Sequence, residues 1–99
     1  MMSEAELIVQ REDGPTRGRY VIHLAPGYDA EMTFRKEADG TIIIDHTGVP
    51  PEYEGRGIAA RLVNRAIADA REQGFKITPL CSYVVAQFRR HPEWADLRA

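Results

Sequence analysis

Glu54-Gly55-Arg56-Gly57-Ile58-Ala59-Ala60-Arg61-Leu62-Val63-Asn64-Arg65-Ala66-Ile67-Ala68-Asp69-Ala70-Arg71-Glu72-Gln73-Gly74 is the stretch from which the fold is read. Ala59, Leu62, Val63, Ala66, Ile67 and Ala70 recur at the spacing of one helical face. Arg61, Asn64, Arg65 and Asp69 fall on other faces. Gly74 supplies a stop, because glycine accepts the left-handed conformation in which helices commonly end. A Gly-x-Gly turn therefore opens an amphipathic helix, and that helix needs an apolar surface to lie on.

The surface is legible upstream. Leu7-Ile8-Val9 is a short apolar run, and Asp13-Gly14-Pro15 and Gly18 break the chain after it. Arg19 to Leu24 is rich in strand formers. Ala30 to Arg35 alternates, with Met32 and Phe34 on one face and Glu31, Thr33 and Arg35 on the other. Ala38-Asp39-Gly40 is a hairpin signal, and Thr41 to Ile44 reads as a central strand. Four strands joined by short turns predict an antiparallel meander.

Downstream, Phe75 to Leu80 is a short fifth strand in which Pro79 argues for an edge, a bulge or the strand's end. Ser82 is a plausible N-cap for a short helix through Arg90, which His91-Pro92 ends. Trp94 and Leu97 are available to pack back. The expected fold class is α/β (α+β): a mixed, mainly antiparallel sheet, a long helix after the Gly-rich turn and a short C-terminal helix. With 99 residues, 1–99 is read as a single domain.

A net charge of -2 and the absence of a polybasic run argue against a nucleic-acid partner. Arg17 with Arg19, and Arg89-Arg90-His91, read as solvated surface. Cys81 is the one cysteine, so no internal disulfide can form and a reducing, cytoplasmic setting is expected. Met1 to Gln10 carries Glu4 and Glu6 and lacks a signal-peptide pattern. No segment approaches a membrane span, and no His/Cys/Asp/Glu cluster has metal-site spacing.

The Gly-x-Gly turn has two readings. A helix start leaves backbone N–H groups without partners, and its dipole favours an anion. Glycines allow close approach and positive φ, so the turn can cradle a pyrophosphate, with Arg56 or Arg61 adding charge. Alternatively, Gly55 and Gly57 only make a tight entry into the helix. The six-position dinucleotide fingerprint and the Walker A loop are both excluded, because the later Gly or Gly-Lys is missing.

Val49-Pro50-Pro51-Glu52-Tyr53-Glu54-Gly55-Arg56-Gly57-Ile58-Ala59 resembles the acetyl-CoA-binding motif of the GNAT superfamily (Gln or Arg, any two residues, Gly, any residue, Gly or Ala). Glu54 departs from it, standing where Gln or Arg is usual. Asp45-His46-Thr47, and Pro79-Leu80-Cys81-Ser82-Tyr83-Val84 through His91-Pro92-Glu93, are similar to a subfamily of very short GNAT-like proteins, over roughly residues 19–97. The resemblance implies a slot for acetyl-CoA, as co-substrate, between splayed fourth and fifth strands. The pantetheine arm would pair with the fourth strand near Asp45 to Val49. The pyrophosphate would meet the N–H groups of Glu54, Gly55, Arg56, Gly57, Ile58, Ala59 and Ala60. Two helices that help form the acceptor site in full-length members have no room here.

The implied chemistry is acetyl transfer to an amine acceptor on a peptide or small molecule, and the alternative is a non-catalytic CoA-binding sensor or interaction module. Cys81 precedes a helix, whose N-terminal dipole favours a thiolate, and could carry the acetyl group in a ping-pong scheme. His46, at the end of the fourth strand, could be its base, and the resembling subfamily carries Cys and His at these places. Cys81 could equally be a small buried hydrophobe, and His46 could simply close a strand. Tyr83 is a candidate acid but reads better as a core residue. His23 and His91 read as structural. An open sheet could also pair through an edge strand into a homodimer.

Overall fold

The computed structural model describes residues 7–99, so the expectation for Met1 to Gln10 lies mostly outside it. Strands β1 (Gln10–Asp13), β2 (Arg17–Ala25), β3 (Tyr28–Lys36) and β4 (Ile42–Gly48) run antiparallel in chain order. A 3-10 turn, Pro51–Tyr53, leads to helix α1 (Ile58–Gln73). Strand β5 (Ile77–Pro79) then pairs parallel to β4, and α2 (Ser82–Arg90) and a 3-10 segment, Pro92–Leu97, complete the chain. The expected mixed, mainly antiparallel sheet with two helices is the observed one.

Alternation places Tyr20, Ile22, Met32, Phe34, Ile42 and Ile44 on one buried face. Against it lies the apolar stripe of α1: Ile58, Leu62, Val63, Ala66, Ile67 and Ala70, all buried. Gly74 ends the helix at φ 77°, its N–H bonding the Ala70 carbonyl at 2.9 Å. Trp94 and Leu97 do pack back, Trp94 edge-on to Phe88 and stacked on His91.

The helix is also pinned by a polar anchor. Asp69, buried on α1, accepts from the Tyr20 hydroxyl at 2.9 Å, from Arg65 at 3.1 Å and from Arg11 at 3.3 Å. A carboxylate out of water needs such donors.

Several boundaries differ from expectation. The first strand is polar Gln10–Asp13 and not the apolar run Leu7-Ile8-Val9. Leu7 is buried in the core and Ile8 is exposed, while β1 is held by its ladder and by cross-strand partners such as Glu12–Arg19 at 2.7 Å. The fourth strand continues past Ile44 to Gly48. The fifth is shorter, Ile77–Pro79, with Pro79 as its last residue.

Candidate functional site

The parallel pairing of β4 with β5 stops at Ile44–Pro79. The Ile44 carbonyl then accepts both Leu80 N–H (2.9 Å) and Cys81 N–H (3.2 Å), and the chain turns into α2. Asp45 to Gly48 keep β3 on one side only. A cleft of about 440 Å³ opens beside this half of β4, lined by Thr47, Val49, Tyr53, Glu54, Gly55, Gly57, Ile58, Ala59 and Tyr83. A splay between β4 and β5 is therefore present.

The Gly-x-Gly turn forms one rim. Gly55 and Gly57 both adopt left-handed backbone, at φ 77° and 74°. A Cβ on either would meet nothing within 4 Å, so the conformation, and no crowding within the protein, calls for glycine. Gly57 caps α1 without a side-chain bond, and the first turn carries no acidic residue. The first intrahelical bond runs from Arg61 N–H to the Gly57 carbonyl, at 3.3 Å, leaving the Ile58, Ala59 and Ala60 amides at the helix start. Open space above two glycines, helix-start amides and a wall of Val49, Ile58 and Ala59 fit a ligand with phosphates and an apolar arm.

Six of the expected binding residues line this cleft: Val49, Glu54, Gly55, Gly57, Ile58 and Ala59. Arg56 and Ala60 do not. Arg56 lies over the Tyr53 ring, 5.5 Å from its centroid, and Ala60 sits in the first turn of α1. Tyr83 was expected in the core. It packs against the core but also lines the cleft, and burial raises its phenol above the usual value, with Arg90 pulling the other way.

Cys81, half-buried, is itself the N-cap of α2, one residue earlier than expected, and its carbonyl accepts Val85 N–H at 3.1 Å. Its Sγ lies 3.3 Å from Thr47 Oγ1. His46 is exposed and pairs with Thr33, whereas Thr47 pairs with the buried Met32. His46 thus shares a face with Thr33, away from the core, beside a hollow bordered by Arg19, Asp29, Glu31 and Gly48. Cys81 and His46 are not brought together into a hydrogen-bonded pair. The cause is a bulge: Phe34 pairs with Ile44 and Thr33 with His46, so Asp45 is the extra residue. Asp45 accepts from Thr33 Oγ1 at 2.6 Å and Arg17 at 3.2 Å, which hold its carboxyl below the usual range against partial burial.

Thr47 and Tyr53 were missed in the sequence. Thr47 stands in the Asp45-His46-Thr47 stretch of the resemblance, but only the bulge turns it toward Cys81. Tyr53, packed between Arg56 and Tyr28 (5.8 Å), is signalled only by its place before the glycines. His23 pairs with Asp29 at 2.8 Å, and His91 with Glu93 at 3.0 Å. Among the described residues no group of three or more His, Cys, Asp or Glu is placed to hold a metal, and no helix is long and apolar enough to cross a membrane.

The family model for the GCN5-related N-acetyl-transferase matches residues 19–97. The fold is similar to the solution structure of a GCN5-like candidate N-acetyltransferase from Staphylococcus aureus. That likeness has 26% identity and a TM-score of 0.68, and covers 96% of this chain and 90% of that one. No curated protein matches the chain.

Proposed function

The chain belongs to the GCN5-related N-acetyltransferase family, and on that premise we propose that it moves an acetyl group from acetyl-CoA to an amine on a peptide or small molecule. The observation that carries the reading is the cleft where β4 outruns β5, with the Gly55–Gly57 turn on its rim. Its size suits a ligand arm, and the turn faces it with helix-start amides. Acetyl-CoA would bring the thioester. Gly55, Gly57, Ile58, Ala59 and Ala60 would hold its phosphates, Val49 its apolar arm, and Arg56 would leave the Tyr53 ring to add charge. Glu54 opposes an anion and lowers affinity.

Cys81 would carry the acetyl group. Its sulfur bonds to the carbonyl carbon, the bond to the CoA sulfur breaks, and CoA leaves as a thiolate that takes up the cysteine proton. The amine nitrogen then bonds to the same carbon and the Cys81 bond breaks. The departing Cys81 sulfur takes up the amine proton, since the expected base, His46, lies on the outer face of β4 beside a different hollow. The single free cysteine fits a reducing, cytoplasmic setting.

One observation favours a second reading, a CoA-binding module without turnover. Short turns join the strands from β1 to β4, where full-length members have two helices that shape the acceptor site. Among the described residues β1 is an edge strand, where a second copy could pair, while β5's outer edge is bridged by Arg98.

The test is release of free CoA thiol from acetyl-CoA in the presence of an amine panel, with Cys81→Ala alongside. Turnover lost in the variant supports transfer through Cys81. Turnover kept in it supports direct attack by the amine. Binding without turnover supports the module, and no binding removes both readings.

A further inference from the structure

The bulge at Asp45 decides which side chain of β4 meets Cys81. In an unbroken strand Ile42, Ile44 and His46 would share a face, because side chains alternate strictly. One extra residue reverses the alternation beyond it. His46 moves to the outer face and Thr47 turns inward, to the cleft and to Cys81. The insertion is not incidental, because Asp45 is bonded by Thr33 of the adjacent β3 and by Arg17 of β2.

From this geometry we propose that Thr47 is the positioning residue for Cys81, its hydroxyl holding the sulfur beside the cleft and donating to it as it reacts. This rests on the acetyl-transfer reading for its purpose, but not for its test. With the thiol protonated, either Sγ or Oγ1 can donate across their 3.3 Å contact. Once the proton has left the sulfur, only the threonine hydroxyl can donate, so the bond survives as a charge-assisted one. The cleft gives this a direction: Thr47 lines it, and Cys81, in contact with Thr47, is held by the two N–H bonds to Ile44 that anchor the start of α2.

The experiment is alkylation of Cys81 by iodoacetamide at pH 7, followed by intact mass, in the wild type, Thr47→Val and Thr47→Ser. Charge gathers on the sulfur as it attacks, so losing the hydroxyl that donates to it slows alkylation about threefold. Valine keeps the shape, and serine restores the hydroxyl. Slowing in Thr47→Val with recovery in Thr47→Ser supports the assignment. An unchanged rate in Thr47→Val, or a serine variant as slow as valine, overturns it. Should Thr47→Val fail to fold, as judged by circular dichroism, Thr47→Ala against Thr47→Ser makes the same comparison.

Alkylation needs no acetyl-CoA, so the result stands apart from the acetyl-transfer reading. In an enzyme that turns over, Thr47→Val lowers kcat and Thr47→Ser restores it.

Discussion

Replacing Tyr20 by Phe tests the anchor that holds α1, and with it the Gly-x-Gly turn, on the sheet. The Tyr20 ring is wholly buried beside Phe34, and only its hydroxyl is polar. That hydroxyl donates to Asp69 at 2.9 Å and accepts from Arg11 at 3.2 Å. Phenylalanine keeps the packing and removes one donor from a buried carboxylate, a loss of about 1.5 kcal/mol. For a domain of this size the melting temperature falls by roughly 6–12 °C.

A second limb makes the test sharper. Burial, and then the bond to Asp69, raise the Tyr20 phenol far above its usual value. Its folded value exceeds the unfolded one, so its contribution is complete below about pH 10 and is lost as pH rises further. At pH 11 the unfolded tyrosine gains about 1.4 kcal/mol from ionising, and the folded one does not. The stability gap between wild type and variant should therefore nearly close between pH 7 and pH 11. Urea unfolding at both pH values measures it. Equal stability at pH 7, or a gap that persists at pH 11, would refute the role given to this hydroxyl.

Other outcomes follow from the site. Gly57→Ala costs about 1–2 kcal/mol, because a Cβ must enter left-handed backbone, while Gly57→Asn costs less, since asparagine tolerates that region; thermal melts without ligand check both. Glu54→Gln removes a carboxylate from the cleft rim and should tighten acetyl-CoA binding about threefold at low salt, with the gain shrinking at high salt, by calorimetry. Asp45, held below the usual carboxylate range by Thr33 and Arg17, stabilises the fold above its unfolded value, and that contribution is lost as pH falls through the folded one. Asp45→Asn should therefore be less stable than wild type at pH 7, with the two converging in acid, in urea titrations at pH 7 and below pH 3.

The helix with its glycine ends was legible because its signals are local: a 3.6-residue apolar stripe and two residues that accept left-handed backbone. The central strands were legible from alternation. Strand β1 was not, because its residues are polar and its pairing rests on partners such as Arg19 and Tyr20 in another strand. Most of the cleft lining could be named from the turn and the resemblance. The meeting of Thr47 with Cys81 could not, since it depends on one extra residue at Asp45. No periodicity reports a bulge; it emerges from the register against Thr33 and Phe34. That same register separates His46 from Cys81. Tyr83 looked like core by helical spacing, and the spacing was half right, because a side chain at the start of α2 borders both the core and the cleft.

The central claim is that the cleft beside β4 takes acetyl-CoA, and thermal unfolding with and without excess acetyl-CoA tests it most directly. Ligand at about 100 times its Kd adds roughly 2.7 kcal/mol, which raises the midpoint of so small a domain by about 10 °C or more. The account predicts that shift in the wild type and its loss when Gly57 is replaced by a bulky residue. No shift at millimolar acetyl-CoA would contradict it.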